Sequence, residues 1–353
     1  IFTILYDLIP LLNPTTYLDS NPDFKRFYLS KIDNLKKHDF LLTISKSASI
    51  EARDFLDFPD SKICNISTAC DNYPFNSINS KELNSTIDTG LLGSFILYVG
   101  AGDPRKNLHR LVEAYSKLDC NLIIRHKLVL AGKLLLEEEN LIKELLKLKN
   151  IPSQYVVFLG YVSDVDLVKL YRECYLFVFP SIHEGFGLPV LEAMTCGAAV
   201  IASNTSSIPE IIGNDNYAFN PLSIDSIHFL LNKALTNIEF YNNLKSNSHS
   251  RKGLFSWNIT AGRAMNVMAN IINKTTRKSP NLLSSINSSS LLFDNLQSIL
   301  SFGDRRYISD SFLQLISSAV DKNISLINYL NLNKPTLNKI NSWLIEGPFD
   351  SSY

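Results

Sequence analysis

Two glutamates, Glu184 and Glu192, and two adjacent cations, Arg105 and Lys106, are the residues of this 353-residue chain whose types and spacing could do chemistry. The glutamates flank Gly185-Phe186-Gly187-Leu188-Pro189, where the glycines free the backbone and the proline is preset for the first position of a helix. Carboxylates accept hydrogen bonds from hydroxyl groups, and a helix amino terminus turns unpaired N–H groups toward an anion. Glu192 lies about one turn into the helix, from where its side chain can point back toward the loop. Arg105 as a fork and Lys106 as a point charge suit a diphosphate. A ligand carrying both phosphates and hydroxyls, such as a nucleotide sugar, answers to this set.

These residues need strands and helices to position them. Leu176–Phe179 is an apolar run that reads as a buried strand ended by Pro180, so the glutamates sit in a strand–loop–helix unit. Residues 98–108, "YVGAGDPRKNL", repeat that order, with Gly100 and the Arg105-Lys106 pair at the mouth. Strands are expected over "IFTILYDL", "FLLTIS", "KICNIS", "SFILYVG", 127–131 and 155–159. Helices are expected over 22–38, 46–57 with Ser45 as N-cap, 107–118, 135–149 and 223–272. A short strand is expected near Tyr217, and Trp257 reads as a packing anchor where the last helices begin. Alternation of this kind predicts an α/β fold with parallel sheets and helices on both faces.

The stretch 74–93 loses periodicity and gathers Asn, Ser, Thr and Gly, as a linker does. The predicted organisation is a Rossmann-like domain over 1–80, a linker over 81–93, a second Rossmann-like domain over 94–272 and a helical extension or linker over 273–341, with helical pattern at 291–331. Ile1 in place of Met, inside an apparent strand, reads as the start of a fragment, so the first domain is expected to be truncated.

Composition excludes several classes. Lys plus Arg and Asp plus Glu number 34 each, so no basic footprint for nucleic acid is indicated. The five cysteines have no metal-ligand spacing and suit reduced thiols in a cytosolic setting. No apolar run approaches the ~20 residues of a membrane span. Over 22–38, Phe24, Tyr28, Ile32 and Leu35 form one face, leaving Lys25, Lys31 and Lys36 elsewhere; that Lys-bearing face suits either plain solvation or peripheral contact with an anionic bilayer.

The strings "AGDPRKN", "FLGYVSDVDLVKLYRECYLFVFPSIHEGFGLPVLEAMTCGAAVIASNTSSIPEI" and "YAFNPLSIDSI" together resemble the nucleotide-sugar domain of family 4 retaining glycosyltransferases of the GT-B fold, with the EX7E spacing at Glu184 and Glu192. "LYDLIPLLNP", "LLTISKSAS" and "NISTACD" resemble the later part of that family's amino-terminal, acceptor-side domain, whose first Gly-rich loop has no counterpart here. The resemblance covers about residues 1–272. It implies that Gly100, Arg105 and Lys106 meet the donor diphosphate, that Glu192 takes the ribose hydroxyls, and that Glu184 holds hydroxyls of the donor sugar. It also implies that N–H groups of Phe186, Gly187 and Leu188 meet sugar and phosphate, with Gly185 in the same loop and the base near Gly160, Tyr161 and Val162. Arg105, Lys106 and Glu184 are then the catalytic candidates. Tyr6 stands where members of the family often have His, which leaves its contribution open; Asp7 beside it is given a minor role. The implied activity is hexose transfer, with a lean to mannose from GDP-mannose, onto a glycan or lipid-linked acceptor in surface polysaccharide or lipopolysaccharide synthesis. No metal cofactor is implied, and the expected location is the cytoplasm, with peripheral contact at the inner membrane face.

Other features read more plainly. Asp164-Val165-Asp166 spells the DxD of metal-dependent transferases, but Ser163 followed by acidic first-turn residues reads as a capped helix start. His183 could serve as a general base; packing within the loop or solvation is the simpler reading. Cys196 before Gly197 reads as a small buried residue at a helix end. "WLIEGPFDSSY", 343–353, resembles the first strand and loop of a further glycosyltransferase domain, as in a tandem enzyme. Against an active transferase stands a non-catalytic nucleotide-sugar-binding module, or an inactive fragment of a larger enzyme. A GT-B sugar-nucleotide epimerase would need an additional acid/base set that the sequence does not offer.

Overall fold

A computed structural model describes residues 1–70, 75, 85–100 and 102–278. Residues 81–84 of the predicted linker, the helical pattern over 291–331 and the string 343–353 lie outside the described residues.

The elements run in chain order as β1 (Phe2–Leu5), α1 (Ile9–Leu12), α2 (Pro14–Tyr17), α3 (Pro22–Leu35), β2 (Phe40–Thr43), α4 (Lys46–Leu56) and β3 (Ile63–Asn65). These are followed by β4 (Phe95–Val99), α5 (Leu108–Ser116), α6 (Cys120–Arg125), β5 (Lys127–Ala131), α7 (Leu136–Leu148), β6 (Val156–Gly160), α8 (Asp164–Glu173), β7 (Leu176–Phe179) and α9 (Leu188–Thr195). The series closes with β8 (Val200–Ser203), α10 (Ile208–Ile212), β9 (Ala218–Phe219), α11 (Ile224–Thr236), α12 (Ile238–Lys252) and α13 (Trp257–Lys278). The chain divides into two compact units. The smaller gathers Ile1–Thr3, His38–Leu41 and the chain from Trp257, and the larger holds Ile4–Lys37 and Leu42–Ser256.

The larger unit contains a six-stranded sheet of order β6-β5-β4-β7-β8-β9, parallel at every pairing. Its strands are short apolar runs because both faces are covered, and alternate residues serve opposite layers. Ile96, Tyr98, Leu128, Leu130, Leu176 and Val178 pack on one side with α5, α7, α11 and α12. Phe95, Leu97, Val129, Phe177, Phe179 and Val200 pack on the other with α8, α9 and α10. Chain order reverses between β4 and β7, which are hydrogen-bonded neighbours. In open α/β sheets a crevice forms outside the carboxyl ends of the strands at such a reversal. The loops carrying Arg105 and Glu184 leave those two strands.

A second sheet has the order β1-β2-β3. Helix α4 that follows β2 is capped as expected, since Ser45 Oγ accepts from Ala48 N at 2.9 Å. The expected helix over 22–38 ends at Leu35, and "SSIPEII" contributes helix α10. The helix expected over 107–118 is shorter, because Asn107 adopts a left-handed φ of 60° and caps α5, with α6 following as a separate helix.

Candidate active site

The carboxyl end of β4 builds a tight cationic turn. Asp103 Oδ1 accepts from Arg105 N at 3.0 Å, so Pro104–Lys106 closes into a single 3-10 turn. Buried Asn107 anchors it by donating from Nδ2 to Pro180 O at 3.0 Å and to Pro221 O at 2.7 Å. Ile182 N donates to Arg105 O at 2.7 Å, which ties the loop after β7 to the same turn. Gly100 precedes the turn and donates from its N–H to Ala131 O at 3.0 Å.

Both cations converge on Glu184. Lys106 Nζ lies 2.7 Å from Oε1 and Arg105 Nη1 lies 2.8 Å from Oε2, while Ser181 Oγ donates to Oε1 at 2.6 Å. Arg105 also donates from Nε to Asp103 Oδ2 at 2.9 Å and from Nη1 to His183 O at 3.0 Å. The Lys106 ammonium also sits 5.1 Å from the centroid of the Phe179 ring. Glu184 is only 7% exposed. Burial alone would raise the pKa of its carboxyl, but Lys106 and Arg105 outweigh that and hold it below the ordinary value. Burial likewise disfavours the charged Arg105, and Glu184 and Asp103 reverse this by raising its pKa.

The loop from Glu184 to α9 is shaped by its glycines. A Cβ on Gly185 would lie 2.9 Å from Asp7 Cβ, Asp7 Oδ2 and Tyr6 O, so only glycine lets the loop pass this close to the first segment. Gly187 has φ 106° and forms the N-cap of α9 without a side-chain cap. The backbone N–H groups of Gly185, Phe186, Gly187 and Leu188 have no acceptor among the described residues. Ser207 Oγ fixes this run from outside by donating to Glu184 O at 2.9 Å and Phe186 O at 2.6 Å. Helix α9 begins at Leu188, which puts Pro189 at the second position instead of the first.

The other predicted residues are spread around this centre. Glu192, half-buried, accepts from Tyr171 Oη of α8 at 3.1 Å. At the end of β6, Gly160 O accepts from Gly132 N at 2.7 Å, and Tyr161 beside it is 82% exposed, with Val162 half-buried. Tyr6 is 60% exposed, whereas burial raises the pKa of the neighbouring Asp7 carboxyl.

Three alternative readings resolve. Asp166 takes hydrogen bonds from Ser85 Oγ, Thr86 N, Thr86 Oγ1 and Ser163 Oγ, at 2.7 to 3.0 Å, so it starts α8 and clamps the chain entering β4. His183, read from the sequence as a general base or as packing or solvation of the loop, pairs with a carboxylate on a helix outside that loop. Its Nε2 lies 2.9 Å from Glu51 Oε1, a buried carboxylate on α4 that also accepts from Leu8 N at 3.1 Å. Cys196 is itself the C-cap of α9, half-buried, with its thiol pushed up to about 12 by burial.

Sequence reasoning missed Asp103, Tyr17, Ser181, Glu51 and Glu210. Tyr17 Oη donates to Asp103 Oδ1 at 2.7 Å, and Glu210 caps α4 from α10 by accepting from Lys46 N and Ser47 N at 2.8 and 2.9 Å. Asp103 could have been found as an Asp-Pro turn start. Ser181 meets Glu184 only three residues on, whereas Tyr17, Glu51 and Glu210 are joined to their partners across 86 to 164 residues, where spacing carries no signal.

Residues 93–251 match the model of the family described as glycosyl transferases group 1. The serotype-specific mannosyltransferase WbdA of Escherichia coli is 39% identical over 264 residues, covering 74% of this chain and 32% of WbdA. The O-antigen chain mannosyltransferase B of Escherichia coli is 30% identical over 227 residues, covering 64% of this chain and 59% of that protein. The chain thus spans about a third of the length of WbdA. Among solved structures, Anabaena HepE in complex with UDP and glucose superposes with a TM-score of 0.59 at 18% identity, covering 76% of this chain and 71% of HepE. With the switch-point sheet, the Arg105–Lys106–Glu184 cluster and these matches together, residues 93–251 form a glycosyl transferases group 1 domain, and the fold is that of the GT-B glycosyltransferases.

Proposed function

We propose that the chain transfers a hexose, mannose, with retention from GDP-mannose to a glycan or lipid-linked glycan in surface polysaccharide synthesis. The observation that carries this reading is the convergence of Arg105 and Lys106 on Glu184 at the ends of neighbouring strands, beside a run of open N–H groups at the start of α9. Donor transfer puts negative charge on the departing diphosphate, and preorganised cations and N–H dipoles in a water-poor site lower the cost of that charge. Arg105 and Lys106 meet the diphosphate. Glu184 orients hydroxyls of the sugar, and Glu192, held by Tyr171, takes the ribose. The base rests near Tyr161 and Val162. The acceptor hydroxyl reaches the same face of the sugar that the diphosphate leaves, so the sugar keeps its configuration. Two cations and a helix end supply the charge, so the reading calls for no metal.

The mannosyl donor is supported by relatives whose names give mannosyltransferase activity. No helix among the described residues is long and apolar enough to cross a membrane. The proposed setting is the cytoplasm, at the inner membrane face where a lipid-linked acceptor is presented. A thermal-shift screen of GDP- and UDP-sugars tests the donor: GDP-mannose raises the melting midpoint most, because a ligand that binds only the folded state stabilises it. A larger shift with a UDP-sugar overturns the choice of donor.

A further inference from the structure

Arg105 is held on more sides than an anion-binding arginine needs. Its Nε is taken by Asp103 Oδ2 at 2.9 Å, and its Nη1 by Glu184 Oε2 at 2.8 Å and His183 O at 3.0 Å. The Tyr17 hydroxyl also lies within hydrogen-bonding reach of this guanidinium. The guanidinium is planar, so fixing Nε and Nη1 fixes the direction of Nη2 as well.

Asp103 meets the guanidinium at Nε. Its own geometry is set by Arg105 N, which donates to Oδ1 at 3.0 Å, and by Tyr17 Oη, which donates to the same oxygen at 2.7 Å. Tyr17 ends α2, 86 residues earlier, in the part of the chain that resembles an acceptor-side domain. Burial, with Asp103 adding to it, raises the phenol's pKa, so Tyr17 remains a donor throughout the neutral range. A continuous path therefore leads from α2 through one hydroxyl and one carboxylate to the cation.

We propose that Tyr17 and Asp103 are positioning residues, which aim the guanidinium of Arg105 at the donor diphosphate and make that aim depend on the placement of α2. This rests on the donor-site reading given above. Removing the Tyr17 hydroxyl lets the Asp103 carboxylate turn, and Arg105 then loses its fixed direction while keeping its charge.

The test is calorimetric titration of GDP and UDP into the full chain for wild type, Tyr17→Phe, Asp103→Asn, their double variant and Arg105→Ala. Tyr17→Phe weakens nucleotide binding about fivefold to tenfold, the scale of one hydrogen bond, with the melting midpoint within about 2 °C of wild type. In the Asp103→Asn background, where the charged link to Arg105 Nε is weakened, Tyr17→Phe has a smaller effect than in the wild type. In turnover assays kcat falls for Tyr17→Phe while the acceptor KM holds, a split that loss of stability alone does not produce. Unchanged affinity in Tyr17→Phe, or the same loss in both backgrounds, overturns the proposal. Wild-type binding by Arg105→Ala, or no binding of either nucleotide by the wild type, instead sinks the donor-site reading and takes this inference with it.

Discussion

Lys106 Nζ lies 2.7 Å from Oε1 of Glu184, within a cluster where that buried carboxylate is also met by Arg105 at 2.8 Å. The pairing makes a stability prediction with a definite sign. Because the folded state holds the Glu184 pKa below the ordinary value of 4.5, its contribution is full above that value and is lost as pH falls through the folded one. Glu184→Gln leaves two cations facing a neutral amide and costs about 3 kcal/mol near neutrality. Melting midpoints taken from about pH 8 down to about pH 3 show a constant gap between wild type and variant that closes only in acid. A gap that widens in acid contradicts the assignment.

Gly185→Ala tests the passage of the site loop over the first segment. One of the close neighbours of the added Cβ is backbone, Tyr6 O at 2.9 Å, so it cannot swing aside as a side-chain tip can. The expected loss is about 1–3 kcal/mol in denaturant unfolding. Gly262→Ala is the control: this glycine lies inside α13 with open space at its Cβ, and the change stabilises by about 0.5–1 kcal/mol. Equal effects at the two positions would refute the crowding argument.

Asp166 is a structural clamp, so chelation should do nothing to it. EDTA leaves the melting midpoint unchanged, whereas Asp166→Ala lowers stability by about 2–3 kcal/mol through the orphaned N–H and hydroxyl groups of Thr86 and Ser85. Hydrogen bonding holds the Asp166 carboxyl well below its ordinary 3.8, against the effect of burial, which comes first in size. Its contribution is therefore present above that value and fades only in strong acid. A midpoint that drops with EDTA and recovers with a divalent cation would restore the metal reading.

Thiol alkylation separates the cysteines. Cys120 is exposed, Cys174 is buried, and burial pushes the Cys174 and Cys196 thiols up to about 12. The thiolate is the reacting form, so iodoacetamide on the native protein labels Cys120 well before Cys174 or Cys196. Peptide mapping after a short exposure reads the order directly; early labelling of Cys196 contradicts its role as a half-buried helix cap.

What the sequence disclosed was what local chemistry determines. Ser45 and Ser163 cap their helices as expected, and the apolar runs at 127–131 and 176–179 are strands with those bounds, because caps and periodicity act within a few residues. The proximity of Arg105 and Lys106 to Glu184 was reachable through the strand–loop–helix pattern and the family resemblance. Its form was not: the cations pair with the carboxylate itself, because burying Glu184 in low dielectric demands opposite charge at contact distance. Tyr17, Glu51 and Glu210 were illegible because each acts across more than eighty residues, through a hydrogen bond that only the folded chain creates.

The central claim is that Arg105 and Lys106 stabilise the departing diphosphate. The most direct measurement is kcat/KM for release of GDP from GDP-mannose by the full-length protein carrying both Arg105→Ala and Lys106→Ala, with folding checked by the melting midpoint. The account predicts a fall of at least about a hundredfold, the scale seen when a preorganised donor to developing charge is removed. Near-normal kinetics in a folded double variant would contradict it.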